Sequence, residues 1–531
     1  MNTVASADQP ATLGTCCVVL HSHLPWLAHA GTWPVGEEWL YQAWADSYLP
    51  LTELLLRRSA AGHRSQLTLG VTPVLAAMLD DPYCLDEFRT WVANWAVRAD
   101  GAVVDGVGVA SDEARRARAA TVQLETDWSA GASPVLRRLA DAGVVEILGG
   151  PATHPFLPLL DEPVARAALE TGLQDATVRL GRRPSGIWAP ECAYRPGLEE
   201  LYRDAGVTHF LVDGPTVGGR TGHPYDVAGS GVVALARDLD VSYRVWSPTA
   251  GYPGGLDYRD FHTWDHPSGL KPARVTGHGV EPEHKAPYDP AAATAALACD
   301  VDDFVGAVVE RLAAHQEATG APGLVVVAYD TELFGHWWRE GPQFLEAVLD
   351  RLPAAGVRLA TLEEARRLPA ESMPLPAGSW GAGKDWHIWT DQVHLTDQGR
   401  DVARRLTDLV GRRFATGRSA RDPRYDQLAR EALLTLSSDW AFLVSHGSSP
   451  DYARRRADEH AARFAELADV LEPELASGAV AGTASDPART AALVGRLRHL
   501  DGPFGTLDAR TLLDGQRDAG VDTSADTEVR G

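Results

Sequence analysis

Lysine is scarce in this chain, methionine occurs only 3 times, and the 5 cysteines (16, 17, 84, 192 and 299) form no CxxC pair. An odd, scattered set of that kind argues against a disulfide framework and predicts reduced thiols. No Lys or Arg precedes Arg57, and no apolar run opens the chain, so no signal peptide is expected. No stretch of 18 apolar residues exists to span a bilayer. Together these absences predict a cytoplasmic protein. Positive charge is also in deficit: the net charge is −23. Nucleic acid and anionic membrane surfaces both need a basic face, so neither is an expected partner. A neutral partner such as a sugar polymer is compatible with this balance.

What the chain has in quantity is tryptophan, with 16 residues. Trp offers a rigid flat face and one donor, suited to stacking on sugar rings as well as to filling a core. At 531 residues, 45% hydrophobic and 23% charged, the chain can bury a large core and divide into two or more domains. Short apolar runs at 15–20, 66–71, 144–148, 186–189, 208–212, 241–246, 324–329 and 357–362 predict buried strands. Helical patterns at 37–58, 163–180 and 302–318 lie between several of them. Alternation of this kind implies a parallel sheet, and so many strands favour a barrel with insertions. Helices at 86–101 and 111–128 predict an inserted subdomain over about 82–130. A Pro-rich stretch at 368–378 lacks periodicity and marks a boundary. Beyond it the pattern is helical, at roughly 396–415, 424–443, 450–474 and 486–500. The expected organisation is a barrel over 1–378, a helical domain over 379–515 and a polar tail over 516–531.

Polar residues cluster where the strands end, which is where a parallel barrel carries its site. "HSHLPW" (21–26), "GGPATHPFLPLL" (149–160), "APECAYRPG" (189–197), "DGP" (213–215) and "YDTELFGHWW" (329–338) each follow an apolar run. Glu191 stands between Trp188 and Tyr194, and Asp330 follows five apolar residues and Tyr329. A carboxylate leaving an apolar strand is either paired, for Glu191 with Arg195 or as a cap, or functional. Two such groups opposed across an aromatic-walled cleft suit glycosyl transfer: one attacks the anomeric carbon, the other protonates the leaving oxygen. Their surroundings should push their pKa values apart. The residues alone do not say which one attacks.

With "GIWAPECAY" and, further on, "LSSDWAFLVS" (436–445), these motifs give the chain a specific resemblance. It resembles glycoside hydrolase family 57, and within that family its 1,4-α-glucan branching enzymes, over residues 21 to about 460. The resemblance implies a distorted, incomplete (β/α)7 barrel with a helical insertion and an all-α C-terminal domain. It implies a retaining mechanism, no metal and no organic cofactor, with Glu191 as nucleophile and Asp330 as general acid/base. His21, His23 and His154 would line the sugar subsite, with Trp188, His336 and Trp337 beside it. Arg259, Gly269, Trp380 and Asp439 match further glucan contacts. Relatives often carry a sugar-binding Gln about nine residues after that Asp; here Ser448 stands in its place. The implied partner is an α-1,4-glucan: glycogen, amylose or a methylglucose polysaccharide. The implied assembly is a monomer or small homo-oligomer.

Other readings stay open at this point. Within the family, α-amylase or 4-α-glucanotransferase activity is possible. A metal-dependent polysaccharide deacetylase would use His21 and His23 as ligands. A non-catalytic glucan-binding protein would keep the tryptophans without needing both carboxylates.

Overall fold

The computed structural model describes residues 12–513, apart from 34, 248–249, 416–419 and 477–485. The tail expected over 516–531 lies outside the described residues. Two compact units are present: one of Met1–Gly150 with Ala176–Trp386, the other of Pro151–Asp175 with His387–Gly531.

Among the described residues the first unit carries ten strands: β1 (Gly14–Ser22), β2 (Leu67–Val71), β3 (Val145–Leu148), β4 (Gly186–Ile187), β5 (His209–Asp213), β6 (Tyr225–Val227), β7 (Val233–Arg237), β8 (Gly323–Asp330), β9 (Val357–Leu359) and β10 (Glu371–Met373). One sheet runs β3-β2-β1-β8, the other β10-β6-β7-β5-β4. A parallel bridge between Gly149 and Ile187 joins them at β3 and β4. The parallel strands therefore form the arc β8-β1-β2-β3-β4-β5-β7; β6 runs antiparallel to β7, and β10 pairs parallel with β6. The arc stays open between β7 and β8. There the Asp238 amide, just past β7, donates to the Val326 carbonyl (2.7 Å), but no ladder forms among the described residues. This is the incomplete seven-stranded barrel that the resemblance implied.

Side-chain alternation fills the interior. Cys17 and Val19 of β1, Leu211 of β5, Val233 and Leu235 of β7, and Leu324, Val326 and Ala328 of β8 point into one core with Leu148 and Trp188. All five cysteines are free thiols, with Cys16 and Cys17 on opposite faces of β1.

One expected strand is a helix. Residues 241–246 belong to Leu239–Trp246, capped by the Asp238 carboxylate, which accepts from the Val241 amide (3.2 Å). Buried Val241, Ser242 and Val245 recur at helical spacing, and this outweighs the β-branched composition. The strand in that part of the chain is β7, eight positions or fewer upstream in "VALAR". The two inserted helices are Pro82–Val104 and Ala110–Thr126, tied by Trp95 Nε1 donating to Glu113 (3.1 Å). The helix expected from 302 starts earlier, at Pro290 behind an Asp289 cap, and runs to Thr319.

The expected boundary after 378 falls short of the change of unit. Trp380 donates its amide to the Glu191 carbonyl (2.9 Å) and Trp386 Nε1 donates to the Gly378 carbonyl (3.2 Å), so the chain stays with the barrel to Trp386. Residues 151–175 group instead with the helical unit. Thr153 donates to the Leu433 carbonyl (2.5 Å), and Pro155 bridges Ser437. That unit contains helices Val393–Phe414, Pro423–Thr435, Ser438–Ser445, Pro450–Ala476 and Pro487–Leu500. The single helix expected over 424–443 breaks at Ser437, whose ψ of 135° is extended. Buried Asp501 joins three of its segments, accepting from Arg463 (2.6 Å) and lying 3.2 Å from His460 Nδ1, beside Glu431.

Candidate active site

Parallel pairing places His21 of β1 level with Asp330 of β8 and with Gly70 of β2. A side chain at 70 would crowd the ring, since a Cβ there would lie 3.3 Å from His21 Nδ1. His21 stacks on Trp188 at 4.0 Å between centroids and 9° between planes. His23 lies 5.8 Å from its ring and Trp380 meets it edge-on at 6.4 Å. Burial, then the nearby His23, pushes the His21 pKa well below the usual imidazole range, so the ring is neutral.

Glu191 sits in the tight turn Pro190–Cys192 that follows β4, with φ 62° and ψ 19°. Cys192 is left-handed too, at φ 48°. Consecutive non-glycine residues in that region persist only where surroundings hold them, and such strain gathers at functional sites. Here the hold is visible. Trp380 Nε1 donates to Glu191 Oε2 at 2.8 Å while its amide takes the Glu191 carbonyl. Trp380 meets Trp188 edge-on at 5.1 Å.

Asp330 ends β8, and Thr331–Leu333 turns tightly after it. Loss of water, then the charges of Glu332 and Glu191, push its carboxyl well above the usual range, against a pull from Arg237. Its proton affinity is thus raised above that of an ordinary carboxyl. Glu332 is buried as well and is pushed up to about 7 by desolvation. Its carboxylate accepts from the Tyr48 hydroxyl and from the His23 amide (3.2 Å). Tyr48 closes a π-helical turn, Trp44–Tyr48, whose Ser47 hydroxyl accepts from the His336 amide (3.1 Å). Such turns recur at functional sites. His23 is fixed further by Thr72, 3.0 Å from its Nδ1.

A second group of expected residues lines a separate cleft of about 660 Å³ in the same unit. Arg259, Gly269, His336 and Trp337 border it with Trp91, Trp95, Phe261 and Trp264. The turn after β8 serves both places, carrying Asp330 and Glu332 at its start and His336 and Trp337 at its end. Trp337 is 40% exposed. Arg259 is committed to the wall, donating to Glu113 and to the Lys271 carbonyl (2.6 Å). Burial lowers the Lys271 pKa to about 8, and its ammonium lies 3.6 Å from the Phe261 centroid.

His154, Asp439 and Ser448 belong to the other unit. His154, left-handed at φ 56°, lies 3.0 Å from the Ser438 hydroxyl through Nδ1. Asp439 accepts from Ser437 (2.5 Å). Ser448 is exposed just before the helix at Pro450.

Sequence reasoning missed Tyr48, Arg237 and Lys384, and met Asp213 only as part of the polar stop "DGP". Arg237 had a usable signal: it ends "VALAR", a strand passed over for the neighbouring run.

Two carboxyls at barrel strand ends, one of raised proton affinity and one held by an indole N–H beside neutral histidine and stacked tryptophan, suit glycosyl chemistry. The chain belongs to glycosyl hydrolase family 57, which residues 17–376 match. Residues 400–511 match the family described as 1,4-alpha-glucan branching enzyme, C-terminal. The chain is 48% identical over 543 residues to a probable 1,4-alpha-glucan branching enzyme of Mycobacterium tuberculosis, covering 96% of this chain and 100% of that protein. It is 33% identical to a 1,4-alpha-glucan branching enzyme of Thermococcus kodakarensis, over 86% of this chain and 74% of that one. The crystal structure of a family 57 branching enzyme from the same archaeon, in complex with glucose and additives, superposes with TM-score 0.86 at 30% identity, covering 94% and 96%. The α-amylase AmyC of Thermotoga maritima superposes at 0.81 with 25% identity, covering 94% and 99%. Among the described residues no helix is long and apolar enough to cross a membrane.

Proposed function

We propose that this chain is a 1,4-α-glucan branching enzyme, a retaining transglycosylase with Glu191 as nucleophile and Asp330 as general acid/base. The observation that carries the reading is the opposed setting of the two carboxyls. Desolvation and the charges of Glu332 and Glu191 raise the proton affinity of Asp330, whereas Glu191 accepts an N–H from Trp380. The protonated group serves as acid and the hydrogen-bonded carboxylate attacks.

In the first step Glu191 attacks C1 of an α-1,4-linked glucose while Asp330 gives its proton to the departing O4. The non-reducing segment is left esterified to Glu191. In the second step Asp330 takes the proton of an acceptor 6-hydroxyl, the O6 displaces Glu191, and an α-1,6 linkage forms with retention. Water in place of that hydroxyl gives hydrolysis. Neutral His21 can exchange hydrogen bonds with hydroxyls of the bound sugar, and Trp188 supports its ring.

Transfer outcompetes water only when an acceptor chain is held beside the intermediate. The match of residues 400–511 to the C-terminal part of branching enzymes supports a glucan-binding role for the helical unit, with Asp439 the candidate contact. The glucan is glycogen, amylose or a methylglucose polysaccharide, and the setting is cytoplasmic.

Incubating the protein with amylose, then debranching with isoamylase, tests the reading. New short chains released only by isoamylase are expected. Reducing ends without such chains would make the protein a hydrolase.

A further inference from the structure

Asp213 closes β5 and Arg237 closes β7, and they are cross-strand partners in the parallel ladder. Both side chains are buried, at 0% and 1% exposure, and Arg237 Nε donates to Asp213 Oδ1 at 2.8 Å. Lys384, one of only three lysines in the chain, places Nζ 2.8 Å from the other oxygen, Asp213 Oδ2. Its Nζ also donates to the Trp380 carbonyl (3.1 Å) and to the Tyr243 hydroxyl (2.8 Å). Two cations thus share one buried anion, leaving one positive charge in surplus. The Arg237 guanidinium carbon is 5.2 Å from the Trp380 ring centroid and 5.8 Å from that of Tyr243. Arg237 Nη1 is buried without a hydrogen-bond partner among the described residues, so its charge is not spent on another acceptor.

We propose that Arg237, Asp213 and Lys384 are positioning residues for Glu191, acting through Trp380; the proposal rests on Glu191 being the nucleophile. Lys384 ties the segment 378–384 to the barrel. Gly378 and Tyr194 exchange backbone bonds of 3.1 and 3.0 Å, and Trp380 bonds the Glu191 carbonyl. The segment is therefore laced to the middle of the strained Pro190–Cys192 turn, at Glu191, and to Tyr194 just beyond it, and the ion cluster is its anchor in the barrel. Arg237 adds an electrostatic role. A cation against the indole face draws electron density from the ring and makes Nε1–H a stronger donor. A stronger donor on Oε2 favours the ionised Glu191 needed for attack and fixes the direction of the other oxygen.

The test compares Trp380→Phe, Arg237→Met, Lys384→Met and Arg237→Lys in the full-length protein, following pH profiles of kcat/KM for amylose cleavage and thermal midpoints. Glu191 must be ionised for attack, so its pKa sets the acid limb. Trp380→Phe and Arg237→Met are expected to move that limb up by roughly 1 pH unit, with kcat falling about tenfold. KM should change little. Arg237→Lys keeps the charge and should restore most of kcat and the original limb. Lys384→Met loosens the segment, so kcat falls with a smaller limb shift. An unmoved acid limb in both Trp380→Phe and Arg237→Met overturns the proposal. So does an Arg237→Lys protein as impaired as Arg237→Met. If Arg237→Met does not fold, Trp380→Phe and Arg237→Lys decide. Glu191→Gln separates the two levels: an active Glu191→Gln protein refutes the nucleophile itself, whereas an inactive one with unmoved limbs in the others refutes only the positioning.

Discussion

His21 and Asp330 are level with each other across the parallel ladder of β1 and β8. β1 and β8, neighbours in the arc, thus bring a neutral imidazole and a carboxyl of raised proton affinity side by side. Backbone pairing fixes this relationship, so changing either side chain should alter chemistry without altering the barrel. Asp330→Asn and Glu191→Gln are each expected to lower kcat for amylose cleavage by at least about 10³-fold. Their circular dichroism and thermal midpoints should match those of the unmodified protein within a few degrees. An active Asp330→Asn protein would remove Asp330 from its proposed role.

The pH dependence should expose Glu332. Its negative charge is the second cause, after desolvation, of the high proton affinity of Asp330. A general acid with raised pKa works below that pKa and is lost as pH rises through it. Glu332→Gln removes the charge but keeps an oxygen for Tyr48 and the His23 amide. The Asp330 pKa should then fall and the basic limb of kcat/KM should move to lower pH. The acid limb should stay near its original place. A basic limb that stays put would mean that Glu332 does not act on Asp330.

Metal dependence separates the glycosyl reading from a deacetylase. The ring of His21 stacks on Trp188, and His23 Nδ1 is taken by Thr72. Among the described residues His21 and His23 do not fall together in any group of three side chains placed to hold an ion. Exhaustive treatment with EDTA or 1,10-phenanthroline should leave amylose branching unchanged. Loss of activity restored by one equivalent of a divalent ion would refute this.

Much of the barrel is legible in sequence because its strands are continuous apolar runs that stop at polar clusters. That rule finds Glu191 and Asp330, since each stands at such a stop. It fails between 233 and 246, where two apolar runs compete. Capping by Asp238 decides for a helix in the second, and a cap is easily overlooked beside β-branched residues. Long-range partners are a different kind of loss. Trp380 reaches Glu191 across 189 positions, and Tyr48 reaches Glu332 across 284. No local pattern encodes such pairs. The Pro-rich stretch before Gly378 suggests a boundary, yet the tie from Trp380 to Glu191 keeps the next residues in the barrel unit.

Trp380 and Trp337 are both tryptophans matched to glucan contacts, and the structure sets them apart. Trp380 spends its one donor on Glu191 and has Arg237 against its ring, so it belongs to bond breaking. Trp337 is 40% exposed on the rim of the cleft with Arg259 and Gly269, and its face is available for stacking. Trp380→Ala should therefore lower α-1,4 cleavage and α-1,6 formation in equal proportion. Trp337→Ala should lower α-1,6 formation more than cleavage, because a poorly held acceptor loses to water. Loss of one aromatic stacking contact costs about 0.5–1.5 kcal/mol, or roughly two- to tenfold in transfer. Reducing ends and isoamylase-released chains, measured on the same digest, give the ratio. A raised hydrolysis-to-branching ratio in Trp337→Ala alone places the acceptor along the 660 Å³ cleft. If the ratio instead rises in Trp380→Ala and not in Trp337→Ala, the acceptor passes over Trp380, and the division of labour between the two tryptophans is the reverse of the one argued from their contacts.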